Sequence, residues 1–273
     1  MSLIDRFDAL APFRVRSFRF QWPADLLTSW AFEMEMLVLG WYVLVTTDSV
    51  ILLTAFGALG FIGTLVAPIF GMLGDRLGRR TMICFMRAYY GCLAVVTMVL
   101  GMTDNLTPYF VLALSLMAGL VRMSDLVMRN SLLGDTMPPA HLVRGIGLAR
   151  TTQDTARIFG ALAGAGLFAA FGIGNTYIVV TVFYVLSFLL SLGVAQSPTK
   201  QDGASRWREL KEGFAYIWNT PRLLALMWLA FLINFAAFPF TLSLLPFSAK
   251  EIYKVAEGGL GMLVAAYASG AFV

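Results

Sequence analysis

The chain has 273 residues, of which 59% are hydrophobic and 13% charged, and its mean hydropathy is +0.76. Soluble domains run nearer roughly 45–50% apolar and about 25% charged, so a water-soluble globule is excluded. The formal net charge of +4 would suit nucleic acid only if the basic residues shared a face; they lie at the ends of apolar runs instead, and no nucleic-acid partner is expected.

From the N-terminus, Arg6, Arg14, Arg16 and Arg19 precede the first apolar run, and no small-residue cleavage site follows it. That run is read as a retained anchor rather than a signal peptide. Apolar runs then recur at about 23–46, 51–73, 81–102, 109–128, 146–170, 174–196 and 223–246, with a partial eighth at 258–273. Each full run is close to the ~20 residues that cross a bilayer as helix. We number them spans 1 to 8. The eighth stops at Val273 with no closing charge or turn, so the chain is read as cut off inside a second half.

The connections alternate in character. Those at Asp48, Asp104 and Gly172–Asn175 are short and carry no Lys or Arg. The others hold Arg76, Arg79 and Arg80, then Arg129 and Arg144, then Lys200, Arg206, Arg208, Lys211 and Arg222. The opposite side has only Lys250 and Lys254. Because basic residues near span ends stay inside, the N-terminus is expected in the cytoplasm of a multi-pass inner-membrane protein.

The densest connection, Gly71-Met-Leu-Gly-Asp-Arg-Leu-Gly-Arg-Arg80, is too short to be anything but a tight turn between spans 2 and 3. The longest, 197–222, is polar at first. Trp207, Leu210, Phe214 and Ile217 then recur at helical spacing among charges, which reads as an interfacial amphipathic helix. Three parts follow: a six-span half over 1–196, a linker over 197–222, and span 7 with part of span 8 over 223–273. A faint repeat supports two halves, since Leu53, Ala55, Ala58 and Gly60 recur as Leu263, Ala265, Ala268 and Gly270.

A charge at mid-bilayer costs roughly 2.5–3.5 kcal/mol on insertion scales. Glu33 and Glu35 nevertheless lie in span 1, Arg87 in span 3, Arg122 and Asp125 in span 4, and Arg150, Asp154 and Arg157 in span 5. Acids and bases balance, so helix-register pairing is one reading. Arg150 with Asp154, and Asp154 with Arg157, have the spacing for same-helix pairs. Glu33 and Glu35 are two apart and point to nearly opposite sides of a helix, so they cannot share a partner. A desolvated carboxyl group at that depth is a candidate proton or substrate carrier, with Arg122 at a suitable depth to pair with it. Gly57, Gly60, Gly63, Gly71 and Gly74 in span 2 and its exit, and Gly160, Gly164 and Gly166 in span 5, allow close helix approach or are ordinary packing. Pro68 and Pro239 are expected to kink their helices. The only histidine is His141, and Cys84 and Cys92 share one apolar run. They read as small core residues rather than a disulfide, and neither a metal site nor an enzyme's catalytic constellation is expected.

Gly71, Asp75, Arg76, Gly78, Arg79 and Arg80 form a pattern that resembles the signature between helices 2 and 3 of the major facilitator superfamily. Within it, several features resemble the bacterial drug and siderophore exporters. These are Phe13-Arg14 with Phe18-Arg19-Phe20, Leu39-Gly40-Trp41, Asp125 and Arg129 followed by Leu132, Leu133, Asp135 and Pro138, Arg157-Ile158 with Gly160, and the linker from Trp207 to Tyr216. The chain departs from that pattern at Ala161, where antiporters carry proline, and at Arg87, which is usually uncharged.

The resemblance implies an all-α membrane bundle, here the six-helix N-terminal half plus two helices of the second half. It also implies a secondary transporter, either exporting amphiphilic small molecules against protons or taking up a metabolite; a non-transporting sensor or scaffold is the other reading. The proton gradient would be its energy source, with no cofactor. Its partners would be the lipid bilayer, a small-molecule substrate and protons, and the working unit a monomer. By the same resemblance the hairpin, Asp125 and Arg129 form a cytoplasmic conformational latch in which Asp75 caps a facing helix and Arg79 pairs with Asp125. Glu33, Glu35, Arg122, Asp154 and Arg157 are the proton or substrate candidates, and Gly160 and Gly164 the helix-5 glycine motif.

Overall fold

The computed structural model describes residues 8–196, 215–239, 245–255 and 257–270. Every regular element among them is helical. After a 3-10 segment at Asp8–Arg14, the helices are α1 (Arg16–Thr47), α2 (Val50–Leu59), α3 (Ala67–Leu77), α4 (Arg79–Met102), α5 (Pro108–Thr136), α6 (Pro139–Ser191), α7 (Pro221–Pro239) and α8 (Glu257–Ser269). Three of them, α4, α5 and α6, are each long and apolar enough to cross a membrane, and the pair Val50–Thr64 and Ala67–Leu77, bent by 45°, makes a fourth candidate. The linker helix expected from Trp207, Leu210 and Phe214 falls within 197–214, outside the described residues.

Local chemistry explains the boundaries. Ser49 caps α2 by accepting the Leu52 amide at 3.3 Å, and Thr107 caps α5 through the Phe110 amide at 3.4 Å. Each spares an amide at a helix start that has no intrahelical partner. Pro68 lies in the first turn of α3; lacking an amide hydrogen, it restarts a helix rather than continuing one, which accounts for the bend in span 2. The connections without Lys or Arg all turn through the left-handed region, at Asp48 (φ 54°), Asp104 (φ 56°) and Gly172 (φ 74°).

Side-chain contacts give the direction of each pass. Along α1, Trp22 meets Thr152 and Met34 meets Gly164, so the first part of α6 runs parallel to α1. Asp25, Thr28 and Glu35 of α1 cluster with Ser191, Ser187 and Tyr177 of α6 in reverse order. The second part of α6 is therefore antiparallel to α1, and the chain reverses at Gly172. Likewise α4 runs against the second part of α6, with Arg80 facing Leu192 and Tyr90 facing Tyr184. In α5, Arg129 meets Asp25 and Arg122 meets Glu35, so α5 opposes α1. Among the described residues through α6, six passes alternate in direction around a core of α1, α4, α5 and α6 side chains that includes Met34, Val38, Met86, Val121 and Tyr177. Leu260 of α8 joins that core; α8 lies on the first part of α6, where Gly261 approaches Ala161 and Ala165, and Lys250 pairs with Asp48. Cys84 is buried in the bundle, whereas Cys92 is exposed, which corrects its reading as a core residue.

Candidate functional site

The polar chemistry concentrates on α1, a helix that carries acids at three levels. At the first level Asp25 faces Arg87 of α4, which is 1% exposed and also donates to the Ser191 hydroxyl. Arg129 of α5 lies 3.8 Å from the same carboxylate and pairs with Asp125 on its own helix. Two acids and two arginines thus meet between α1, α4 and α5 with their charges balanced. Isolated charges in such a place would cost several kcal/mol each, and mutual pairing offsets that cost.

At the second level Glu33 lies 3.6 Å from Arg157 of α6. This is the wettest of the pairs, with the arginine side chain 45% exposed. The contact exists because Gly160 lets α6 come against Trp30 and Glu33; a Cβ there would lie 2.9 Å from the Glu33 Cβ.

At the third level Glu35 is enclosed. It accepts hydrogen bonds from Tyr184 at 3.0 Å and Tyr177 at 3.4 Å, and lies 3.6 Å from Arg122. The Arg122 guanidinium is 3.5 Å from the centre of the Phe32 ring and 3.1 Å from the Met36 sulfur, a cation–π seat that holds a positive charge out of water. Glu33 and Glu35 therefore have separate partners, as their spacing requires.

On the basic side of the molecule, the turn between α3 and α4 hinges on Gly78 (φ 88°). There Arg79 donates to the Ser131 carbonyl at 3.1 Å and pairs with Asp135 at 2.7 Å and Asp75 at 3.5 Å. Arg80 donates to the Leu192 carbonyl, while Arg76 is exposed and Gly71 has open space beyond its Cα. The turn thus ties α3 and α4 to the ends of α5 and α6.

Two expected pairings are corrected. Arg79 meets Asp135, not Asp125, because Asp125 lies about 15 Å farther along α5 and pairs with Arg129, one turn away. Arg157 meets Glu33 across helices rather than Asp154; Asp154 keeps Arg150 at 3.5 Å, on an exposed face. Asp25 was not singled out among the membrane charges, although the buried Arg87 signalled that some acid had to face it. Asp135 was noted only as part of a pattern.

Alternating apolar helices that turn back on one another, with charged residues paired in their interior, define a multi-pass α-helical membrane protein. A model of the Major Facilitator Superfamily matches residues 22–273, and the chain belongs to that family. It is 27% identical over 165 residues to "Uncharacterized MFS-type transporter YfiS" of Bacillus subtilis (strain 168), covering 58% of this chain and 38% of that protein. Its fold is similar to the crystal structure of a bacterial homolog of the human lysosomal transporter Spinster in an inward-facing, unoccupied conformation. The TM-score is 0.68 at 16% identity, over 93% of this chain and 60% of that one. The chain thus spans 38% of the length of the first and 60% of the second.

Proposed function

We propose that the chain forms the proton-responsive part of a secondary active transporter that exports amphiphilic small molecules across the inner membrane by alternating access. The observation that carries this reading is the pair of α1 acids, Glu33 and Glu35, each held at depth by an arginine from a different helix. A carboxylate that can exchange an arginine for a proton changes the charge of its helix pair, and so biases which packing is favoured. A scaffold has no need of two such acids.

In this reading residues 1–196 act as one six-helix half and 223–273 belong to the second. The N-terminus is cytoplasmic, the proton gradient supplies the energy without a cofactor, and the working unit is a monomer in the lipid bilayer. The Asp75–Arg79–Asp135 contacts serve as the conformational latch. The resemblance to drug and siderophore exporters supports export, and Phe32 and Met36, which share the side of Arg122, suit an amphiphilic substrate.

The test replaces Glu33 and Glu35 with Gln, singly and together, in the whole protein as the cell makes it. Ionophore-sensitive accumulation of a lipophilic dye is measured in a pump-deficient strain. Loss of dye exclusion, with the protein still in the membrane, is the expected result. Unchanged efflux in the double variant would remove the coupling role, and dye uptake in place of exclusion would reverse the direction.

A further inference from the structure

The interior between α1, α4 and α5 contains a feature that the Glu33 and Glu35 pairs do not use. The Tyr90 hydroxyl, the Ser124 hydroxyl, Asp125 Oδ1, the Nε atoms of Arg87 and Arg129, and Gln21 Oε1 are all buried without a hydrogen-bond partner. Tyr90 is 6% exposed and Ser124 1%. Buried polar atoms in native proteins are almost always satisfied, and a group of them in one place calls for a partner that the side chains do not supply.

The position of Tyr90 gives this group a direction. Its ring lies 5.5 Å from that of Tyr184, tilted by 35°, and the Tyr184 hydroxyl donates to Glu35. The Tyr90 phenol lies within electrostatic reach of Asp125, Arg122, Arg129 and Glu35. At the basic end, Asp25, Gln21, Ser29 and Arg129 line a cavity of about 20 Å3 together with Trp22 and Gln153. That is room for about one water molecule among several polar partners. Asp25 and Arg129 belong both to this cavity and to the buried charge cluster, so the two adjoin.

We infer that Asp25, Asp125, Arg87, Arg129, Ser124 and Tyr90 form a hydrated proton-exchange pocket inside the first half, through which Glu35 exchanges its proton with the cytoplasmic side, separately from the face at Glu33 and Arg157. The inference rests on the proton-coupled reading of Glu35. In the step, the O–H bond of the Glu35 carboxylic acid breaks and an O–H bond forms on pocket water or on the carboxylate of Asp125 or Asp25, with no change of oxidation state. Arg122 compensates the charge left on Glu35, and the proton passes on to bulk water by way of the cavity at Gln21 and Ser29. The charged and titratable groups facing this route are Asp25 and Glu35 on α1, Arg87 and Tyr90 on α4, Arg122, Asp125 and Arg129 on α5, and Tyr177 and Tyr184 on α6. A network whose task was only to hold helices together would gain by closing these bonds on itself.

Two measurements test it in the whole protein. X-ray radiolysis makes hydroxyl radicals from bound water in place, with modified residues read by mass spectrometry. Tyr90 is expected to be labelled at least tenfold faster than Tyr177, which is also buried but already bonded to Glu35. Equal and negligible labelling of both would overturn the pocket. In reconstituted vesicles, Tyr90→Phe is expected to slow substrate-driven proton flux about tenfold with substrate affinity unchanged, while Glu35→Gln abolishes it. If Glu35→Gln abolishes flux and Tyr90→Phe leaves it at the parent rate, the route is wrong and the coupling role of Glu35 stands. If Glu35→Gln itself leaves flux unchanged, both the coupling role and the route fall.

Discussion

Arg87 is 1% exposed and faces Asp25, so its charge depends on a single residue of α1 in a way that the charge of Arg129 does not. Asp25→Asn strands the guanidinium in the bundle, and breaking such a pair by removing one partner costs about 3–5 kcal/mol. Adding Arg87→Met to that variant is expected to restore most of the loss, because Arg129 keeps Asp125. Thermal unfolding of the three variants in detergent checks this, and equal melting of the single and double variants would show that the pair is not coupled. The chemical need for a partner of Arg87 was legible in the sequence, as an arginine inside an apolar run. The partner's identity was not. It depends on helix rotation and depth, and Asp25, near the start of its span, reads as an interfacial residue until α4 and α6 are placed beside it.

At the level of elements, apolar runs located the helices well because the need to bury backbone polar groups leaves little freedom inside a bilayer. Their ends and breaks followed from Pro68, Ser49, Thr107 and Gly172. Charge pairing between helices was less legible. The same-helix spacing of Asp154 and Arg157 was real, yet Gly160 brings α1 close enough for Glu33 to take the arginine instead. The hairpin glycines divide in the same physical way. Gly78 has φ 88° and ψ 132°, a conformation that costs a non-glycine residue about 1–3 kcal/mol, whereas a Cβ at Gly71 meets no atom within 4 Å. Gly78→Ala is therefore expected to lower the melting temperature by several degrees and Gly71→Ala to leave it nearly unchanged. If Gly71→Ala proved the more damaging, the hairpin glycine would be serving a different packing from the one described. Gly164→Val, whose Cβ would lie 3.0 Å from the Met34 Cα, is expected to push α6 off α1 and to loosen Glu33 from Arg157. Faster alkylation of a cysteine introduced at Trp30, which α6 covers at Gly160, would report it.

For the molecule as a whole, the contact between Lys250 and Asp48 joins segments 202 residues apart in sequence, on the side opposite the hairpin. An exposed pair of this kind adds little stability, but its geometry is checkable. In a background lacking Cys84 and Cys92, Asp48→Cys with Lys250→Cys is expected to form a disulfide readily under mild oxidation, and failure to cross-link would contradict this packing of the two segments. The three acids of α1 have a consequence of another kind, in the order of synthesis. Asp25, Glu33 and Glu35 leave the ribosome first, while Arg87 follows 62 residues behind Asp25 and Tyr184 149 residues behind Glu35. Until those partners arrive, α1 is a poorly lipid-compatible helix. It must wait beside the insertion machinery, protonated or shielded by water, so that the charges paired in the finished protein are the ones that make its first helix dependent on its sixth pass.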